Sequence, residues 1–167
     1  MKYTKYILAF TILFTFSSCS VYNFTGAGKI DAKTFQVNYF QNVSELIEPG
    51  IERDFTTRLQ DLIQNQTNLS LTNTDGDLVY EGEIVDYRVS PMSATADLTA
   101  AQSRLTISVN LRFSNKNKPE EDFEKRFSFY YDYAGNQQLV GAQLKTALDE
   151  IFARITQDMF GETLAKW

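Results

Sequence analysis

Apolar and polar side chains alternate most cleanly between Arg104 and Ser114, where Leu105, Ile107, Val109, Leu111 and Phe113 share one side and Arg104, Thr106, Ser108, Asn110 and Arg112 the other. Period two over that length predicts a strand with one buried and one wet face. Phe123 to Tyr133 repeats the pattern, with Phe123, Phe127, Phe129, Tyr131 and Tyr133 inward, a break at Lys125, and Arg126, Ser128, Tyr130 and Asp132 outward. Asn115 to Asp122 turns the chain between them. Phe35 to Phe40 predicts a first strand with Phe35, Val37 and Tyr39 on one face. From Leu78 to Ser90 the apolar phase changes: Leu78, Tyr80 and Ile84 have one parity, Val85, Tyr87 and Val89 the other. One strand keeps both sets on one face only by bulging or bending near Gly82 to Val85, and Pro91 is expected to end it.

Two stretches change period. After Pro49-Gly50, Ile51, Phe55, Leu59, Leu62 and Ile63 recur at helical spacing as far as Asn65, and Leu144, Leu148, Ile151, Phe152, Ile155 and Met159 do so near the end. Leu164 and Trp167 follow and are expected to cap the core. Leu69-Ser70-Leu71 reads as a short strand reached through the first helix, which makes the opening unit a βαβ crossover with parallel strands. Thr74-Asp75-Gly76-Asp77 signals a tight hairpin. Met92 to Gln102 is the longest interior loop, joining two strands that pair as a hairpin. The sum is an α+β fold: a two-layer sandwich with a mixed, mostly antiparallel sheet of four or five strands and two α-helices on one face. The other face is left to water, an ordinary outcome for antiparallel strands.

The first residues have a different logic. Lys2 and Lys5 precede the apolar run Tyr6 to Phe16, which is too short to cross a bilayer and reads as a signal peptide. Ser17-Ser18-Cys19 then resembles a lipobox, in which the cysteine is lipidated and becomes the first mature residue. Residues 1–18 are thus the signal peptide, 19–33 a lipidated tether centred on Gly26-Ala27-Gly28, and 34–167 a single domain. The anchor is a covalent diacylglycerol and N-acyl chain on Cys19; no other cofactor is expected. Several acyl chains, each burying methylenes at about 0.8 kcal/mol apiece, make a stable membrane attachment.

Composition narrows the chemistry. Without Lys2 and Lys5, 14 basic side chains face 21 acidic ones, an unfavourable balance for binding nucleic acid. The chain has no histidine, and Cys19 is its sole cysteine. With that thiol lipidated, the commonest general base, metal ligand and thiol nucleophile are all missing, and no internal disulfide can form. Neither a phosphate loop nor a nucleophile-elbow motif occurs. Glu81 and Glu83, two apart on a strand, could present carboxylates to a metal or sugar, but alternation alone places them on the solvated face. No catalytic or metal residues are assigned, and an enzyme is not expected. Arg88, Arg104, Arg112 and Lys125 are the basic residues that could meet a lipid-borne phosphate through charge-assisted hydrogen bonds.

A lipobox followed by Val21-Tyr22-Asn23-Phe24-Thr25-Gly26, then Asp77-Leu78-Val79-Tyr80-Glu81-Gly82-Glu83-Ile84-Val85-Asp86-Tyr87, Arg104-Leu105-Thr106-Ile107-Ser108-Val109 and a terminal Trp167, resembles the LptE-related lipopolysaccharide-assembly lipoproteins. The resemblance implies a non-enzymatic lipoprotein that plugs an LptD-type β-barrel of the Gram-negative outer membrane, aiding its assembly and lipopolysaccharide transport to the outer leaflet. It also implies a sheet with two helices on one face. Ser20 is not the Asp that retains lipoproteins at the inner membrane in one sorting scheme, and no acidic run follows to suggest surface export; both point to an outer-membrane protein facing the periplasm. The rival expectation is a lipoprotein carrier holding a lipid or peptide in its own pocket, with a lipid-anchored hydrolase third.

Overall fold

The computed structural model describes residues 30–46, 48–92, 102–135 and 137–165. The signal peptide, the lipobox, most of the tether, the interior of the 92–102 loop and Trp167 lie outside them. In chain order the elements are β1 (Thr34–Val37), β2 (Gln41–Asn42), α1 (Ile51–Gln66), β3 (Ser70–Leu71), β4 (Leu78–Met92), β5 (Gln102–Asn115), a 3-10 turn (Pro119–Glu121), β6 (Phe123–Ala134) and α2 (Gly141–Leu164). The sheet runs β3-β1-β4-β5-β6, and the two-residue β2 continues the line of β1 along β4. Contacts of β1 with β3 and β4 are parallel, whereas β4, β5 and β6 form an antiparallel meander. The α+β sandwich expected from periodicity is therefore the observed architecture, with β2 as an added fragment.

Both helices cover the same face. On α1, Ile51, Phe55, Thr56, Leu59 and Ile63 are buried and Leu62 is half-buried. Gly50 takes φ of 90°, a left-handed turn that suits glycine, and its carbonyl accepts from the Asp54 N–H as α1 begins. The helix stops where Thr67 becomes extended and gives both its N–H and its hydroxyl to the Ile63 carbonyl. The buried stripe of α2 runs from Leu144 through Ile151, Phe152, Ile155 and Met159 to Leu164, with Leu148 half-buried. Leu164 reaches the core as part of the last helical turn rather than by folding back. Phe55 joins the layers, edge-on to Phe40 at 5.1 Å and to Phe152 at 5.3 Å. Tyr80 is fully buried, its hydroxyl 3.0 Å from Thr163 Oγ1, and burial raises its pKa.

Three local expectations are corrected. Tyr39 is 55% exposed and Phe40 is buried instead, because β1 ends at Val37 and the chain kinks before β2. Gly82 makes room for that kink: a Cβ there would lie 2.5 Å from the Phe40 ring and 2.0 Å from the Asn110 carbonyl oxygen. The turn at Thr74–Asp77 joins no hairpin, since β3 and β4 flank β1 on opposite sides and both run parallel to it. It carries the chain across β1. Asp75 takes the positive φ, of 59°, while Gly76 is needed for close approach, as a Cβ would sit 2.8 Å from the Gln36 backbone nitrogen. Asp77 completes the crossing by accepting the N–H groups of Lys33 and Thr34 at 2.8 and 3.0 Å, and those bonds hold its carboxyl below the usual range. Finally, Pro91 does not end β4, which continues to Met92 opposite Gln102. Proline is tolerated there because β2 reaches only to Ile84, so this half of β4 is an edge.

The expected bulge is present. Ile84 pairs with Val109 and Asp86 with Ser108, leaving Val85 extra, so Tyr87 and Val89 regain the face of Leu78 and Tyr80.

Candidate functional site

The face of β4, β5 and β6 away from the helices is built as five cross-strand rows. In order along the sheet they are Glu81, Arg112, Glu124; Glu83, Asn110, Arg126; Asp86, Ser108, Ser128; Arg88, Thr106, Tyr130; and Ser90, Arg104, Asp132. Because β-strand side chains alternate, the apolar alternation that fills the core forces these fifteen positions to the opposite surface. Four of the five acids, Glu81, Asp86, Glu124 and Asp132, stand within 4 Å of a base, and Glu83 lies beside Asn110. Arg112 reaches Glu81 at 3.4 Å and Glu124 at 3.7 Å, while Asp86 lies 3.7 Å from both Arg88 and Arg126. Arg104 forms a two-pronged pair with Asp132 at 2.6 and 2.8 Å and lies over the Tyr130 ring, 3.6 Å from its centre. The Arg104 hydrogen bonds hold the Asp132 carboxyl below its ordinary value.

Midway along this face, Ser108 is buried and its hydroxyl lies 3.0 Å from that of Ser128. Where β1 peels away from β4, a cleft of about 310 Å3 opens between Asn38, Tyr39 and Gln41 on one side and Glu83, Asn110 and Arg112 on the other. A second cleft, of about 300 Å3, lies where the two helices begin, between Ile51, Leu144, Leu148 and Phe152 under a rim that includes Arg58, Lys145 and Asp149. Arg58 and Lys145 both pair with Asp149, and the hydrogen bond from Lys145 is the main reason its carboxyl titrates low. At the same end, burial pushes the Tyr87 hydroxyl up to about 12, with the Glu48 charge adding to it.

Of the four basic candidates, the structure brings Arg88, Arg104 and Arg112 onto one face, and places Lys125 on the other, where it pairs with Glu162 of α2 at 2.8 Å. They do not form one cluster. Sequence reasoning missed the partners, Asp86, Glu124 and Asp132, and the added cation Arg126. The signal was the strand register, which sets Arg104 opposite Asp132 once β5 and β6 are paired. Among the described residues no group of three or more His, Cys, Asp or Glu side chains could hold a metal, and no helix is long and apolar enough to cross a membrane.

The model of the LptE family, described as lipopolysaccharide-assembly, matches residues 32–161. No curated protein matches the sequence. Among solved structures, a hypothetical protein of Chlamydia trachomatis is 12% identical, covers 81% of this chain and 99% of its own, and superposes with a TM-score of 0.52. A protein of Xanthomonas campestris is 8% identical over 78% of this chain and 84% of its own, with a TM-score of 0.54. The rare lipoprotein B of Shewanella oneidensis is 12% identical over 76% and 89%, with a TM-score of 0.47. The first two share the fold.

Proposed function

The chain belongs to the lipopolysaccharide-assembly family, and from that premise we propose that it is a non-enzymatic outer-membrane lipoprotein, anchored through acyl chains on Cys19 and facing the periplasm, that seats inside an LptD-type β-barrel and aids its assembly and the transport of lipopolysaccharide. What supports the reading is the asymmetry of the sheet. One face carries the whole core under two helices, and the other is a broad, internally ion-paired surface that is suited to a wet lumen. Apart from Glu83, such a surface meets polar walls without burying an unpaired charge, the costly case in any interface.

Arg88, Arg104 and Arg112 are the residues proposed to meet lipopolysaccharide phosphates. Each would exchange or share its present acid for a phosphate, a trade between charge-assisted hydrogen bonds. Lys125, held by Glu162 on the helix side, would act only where that side also meets the lipid.

Detergent extraction and affinity purification of the full chain tests the proposal. Recovery of a large β-barrel protein is expected; a clean monomer carrying bound lipid in a cavity would instead make it a carrier. The anchor is tested separately by palmitate labelling, which should disappear in Cys19→Ala. Persistent labelling defeats the anchor assignment.

A further inference from the structure

The cleft where β1 peels away from β4 holds two sets of polar side chains. In one, Arg112 pairs with Glu81 and Glu124, and Asn38 gives a side-chain N–H to Glu81 at 2.9 Å. The other set is open. Gln41 stands opposite Glu83 across β2 and β4, and Glu83 stands opposite Asn110 across β4 and β5, so the three form one row over three strands. All three line the cleft, and among the described residues none of them has a side-chain hydrogen bond or ion pair. With strands about 4.8 Å apart, the row is roughly 10 Å wide. Beside it stands Tyr39, an aromatic ring that is 55% exposed.

These groups suit one class of ligand. A carboxylate only accepts hydrogen bonds, whereas the amides of Gln41 and Asn110 both give and accept, so the row matches a set of hydroxyl groups, each of which does both. The exposed ring offers a surface for the apolar C–H face of a sugar. Two other ligands fit less well. Among the described residues no group of three or more His, Cys, Asp or Glu side chains could hold a metal, so the cleft is not a cation site. An extended peptide needs open backbone, and here β4 is engaged on both sides: it pairs with β5, and its Tyr80 and Ile84 carbonyls accept the Asn38 and Val43 N–H groups at 2.9 Å.

We propose that this cleft of about 310 Å3 binds an uncharged sugar ring of an oligosaccharide, stacked on Tyr39 and held through its hydroxyls by Gln41, Glu83 and Asn110. Glu83 repels an anion inside the cleft, so the bound ring carries no phosphate, and Arg112 at the rim is left to a phosphate on a neighbouring unit. Such a ring comes from the glycan of lipopolysaccharide or from a free oligosaccharide, and only the first source rests on the proposed function.

Saturation-transfer NMR of the full chain, in a detergent that contains no sugar, tests the cleft with maltotriose, mannotriose and the N-acetylglucosamine trimer. At least one should bind, and its affinity should weaken about tenfold in Tyr39→Ala and in Glu83→Ala, the loss expected for one stacked ring or one charge-assisted hydrogen bond. Tyr39→Phe, which keeps the ring, should bind like the parent, as should Gln157→Ala on the exposed side of α2. The Tyr39 and Glu83 side chains are exposed, so these variants fold like the parent. Lipopolysaccharide stripped of its acyl chains and phosphates is the fourth probe. Displacement of the trisaccharide by it assigns the ring to that glycan; trisaccharide binding without displacement assigns the cleft to a free oligosaccharide. Absence of binding by all four probes overturns the proposal, and so does binding by Tyr39→Ala and Glu83→Ala equal to that of the parent. A barrel still recovered in either case leaves the proposed function standing.

Discussion

β5 is one strand with two environments. Leu105, Ile107, Val109, Leu111 and Phe113 are at most 1% exposed under the helices, while Arg104, Thr106, Asn110 and Arg112, which alternate with them, face water in ion-paired or hydrogen-bonding rows. The two faces hold the molecule together with different strengths. Fully burying an aliphatic or aromatic side chain contributes about 1.5–3 kcal/mol, whereas an exposed ion pair contributes about 0.2–1 kcal/mol. The covered face thus carries the stability, and the open face is left to specify what the sheet touches. Substitutions on the two faces should accordingly separate folding from binding.

The largest effect is expected at Phe55, where α1, the β1–β2 connection and α2 meet through the edge-on contacts with Phe40 and Phe152. Phe55→Ala leaves a cavity among three elements and should cost about 3–5 kcal/mol, read as a lower urea midpoint at unchanged slope. Next is Gly82→Ala, which adds a methyl where the Phe40 ring and the Asn110 carbonyl already sit. Overpacking of this kind costs about 1–3 kcal/mol. Adding Phe40→Leu should recover part of the loss, and no recovery would mean that the Asn110 backbone is the main obstacle.

These sites also mark where the sequence was readable. The meander was legible because its constraint is local: period two assigns each residue of β5 and β6 to a face, and the phase change between Ile84 and Val85 announces the bulge. The β1 region was not, because Tyr39 and Phe40 exchange places through a glycine more than forty residues away. Asp75-Gly76 was correctly a turn, but its chemistry is blind to β1 lying between the strands it joins. For the open face, alternation identified Arg104 and Arg112 as outward, yet the place of Arg88 beside them depends on a register shifted by one at the bulge. Lys125 shows the opposite failing. Its charge made it a ligand candidate, although its parity puts it on the helix side, where Glu162 holds it.

On the open face the separation reverses. Arg112→Glu replaces the base of the first row, setting three carboxylates side by side with Glu81 and Glu124. All three are well exposed, so stability should fall by less than about 1 kcal/mol. Barrel recovery in the affinity experiment should fall clearly, because a partner wall matched to a neutralised row now meets net negative charge. Unchanged recovery from a folded variant would move the contact surface off this face.

The smallest effect belongs to the fifth row and is seen best as a function of pH. The Arg104 hydrogen bonds lower the Asp132 pKa in the folded chain, so the pair stabilises the fold when the carboxyl is ionised. The sign follows from linkage. Its contribution is complete above the unfolded value of about 3.9 and is lost as pH falls through the lower folded value. Asp132→Asn keeps the shape but cannot ionise. The variant should therefore be slightly less stable than the parent at pH 7, and the two should converge in acid once the parent carboxyl is protonated. Stability curves that run parallel from neutral pH to pH 2 would show that this pair orders the face without stabilising it.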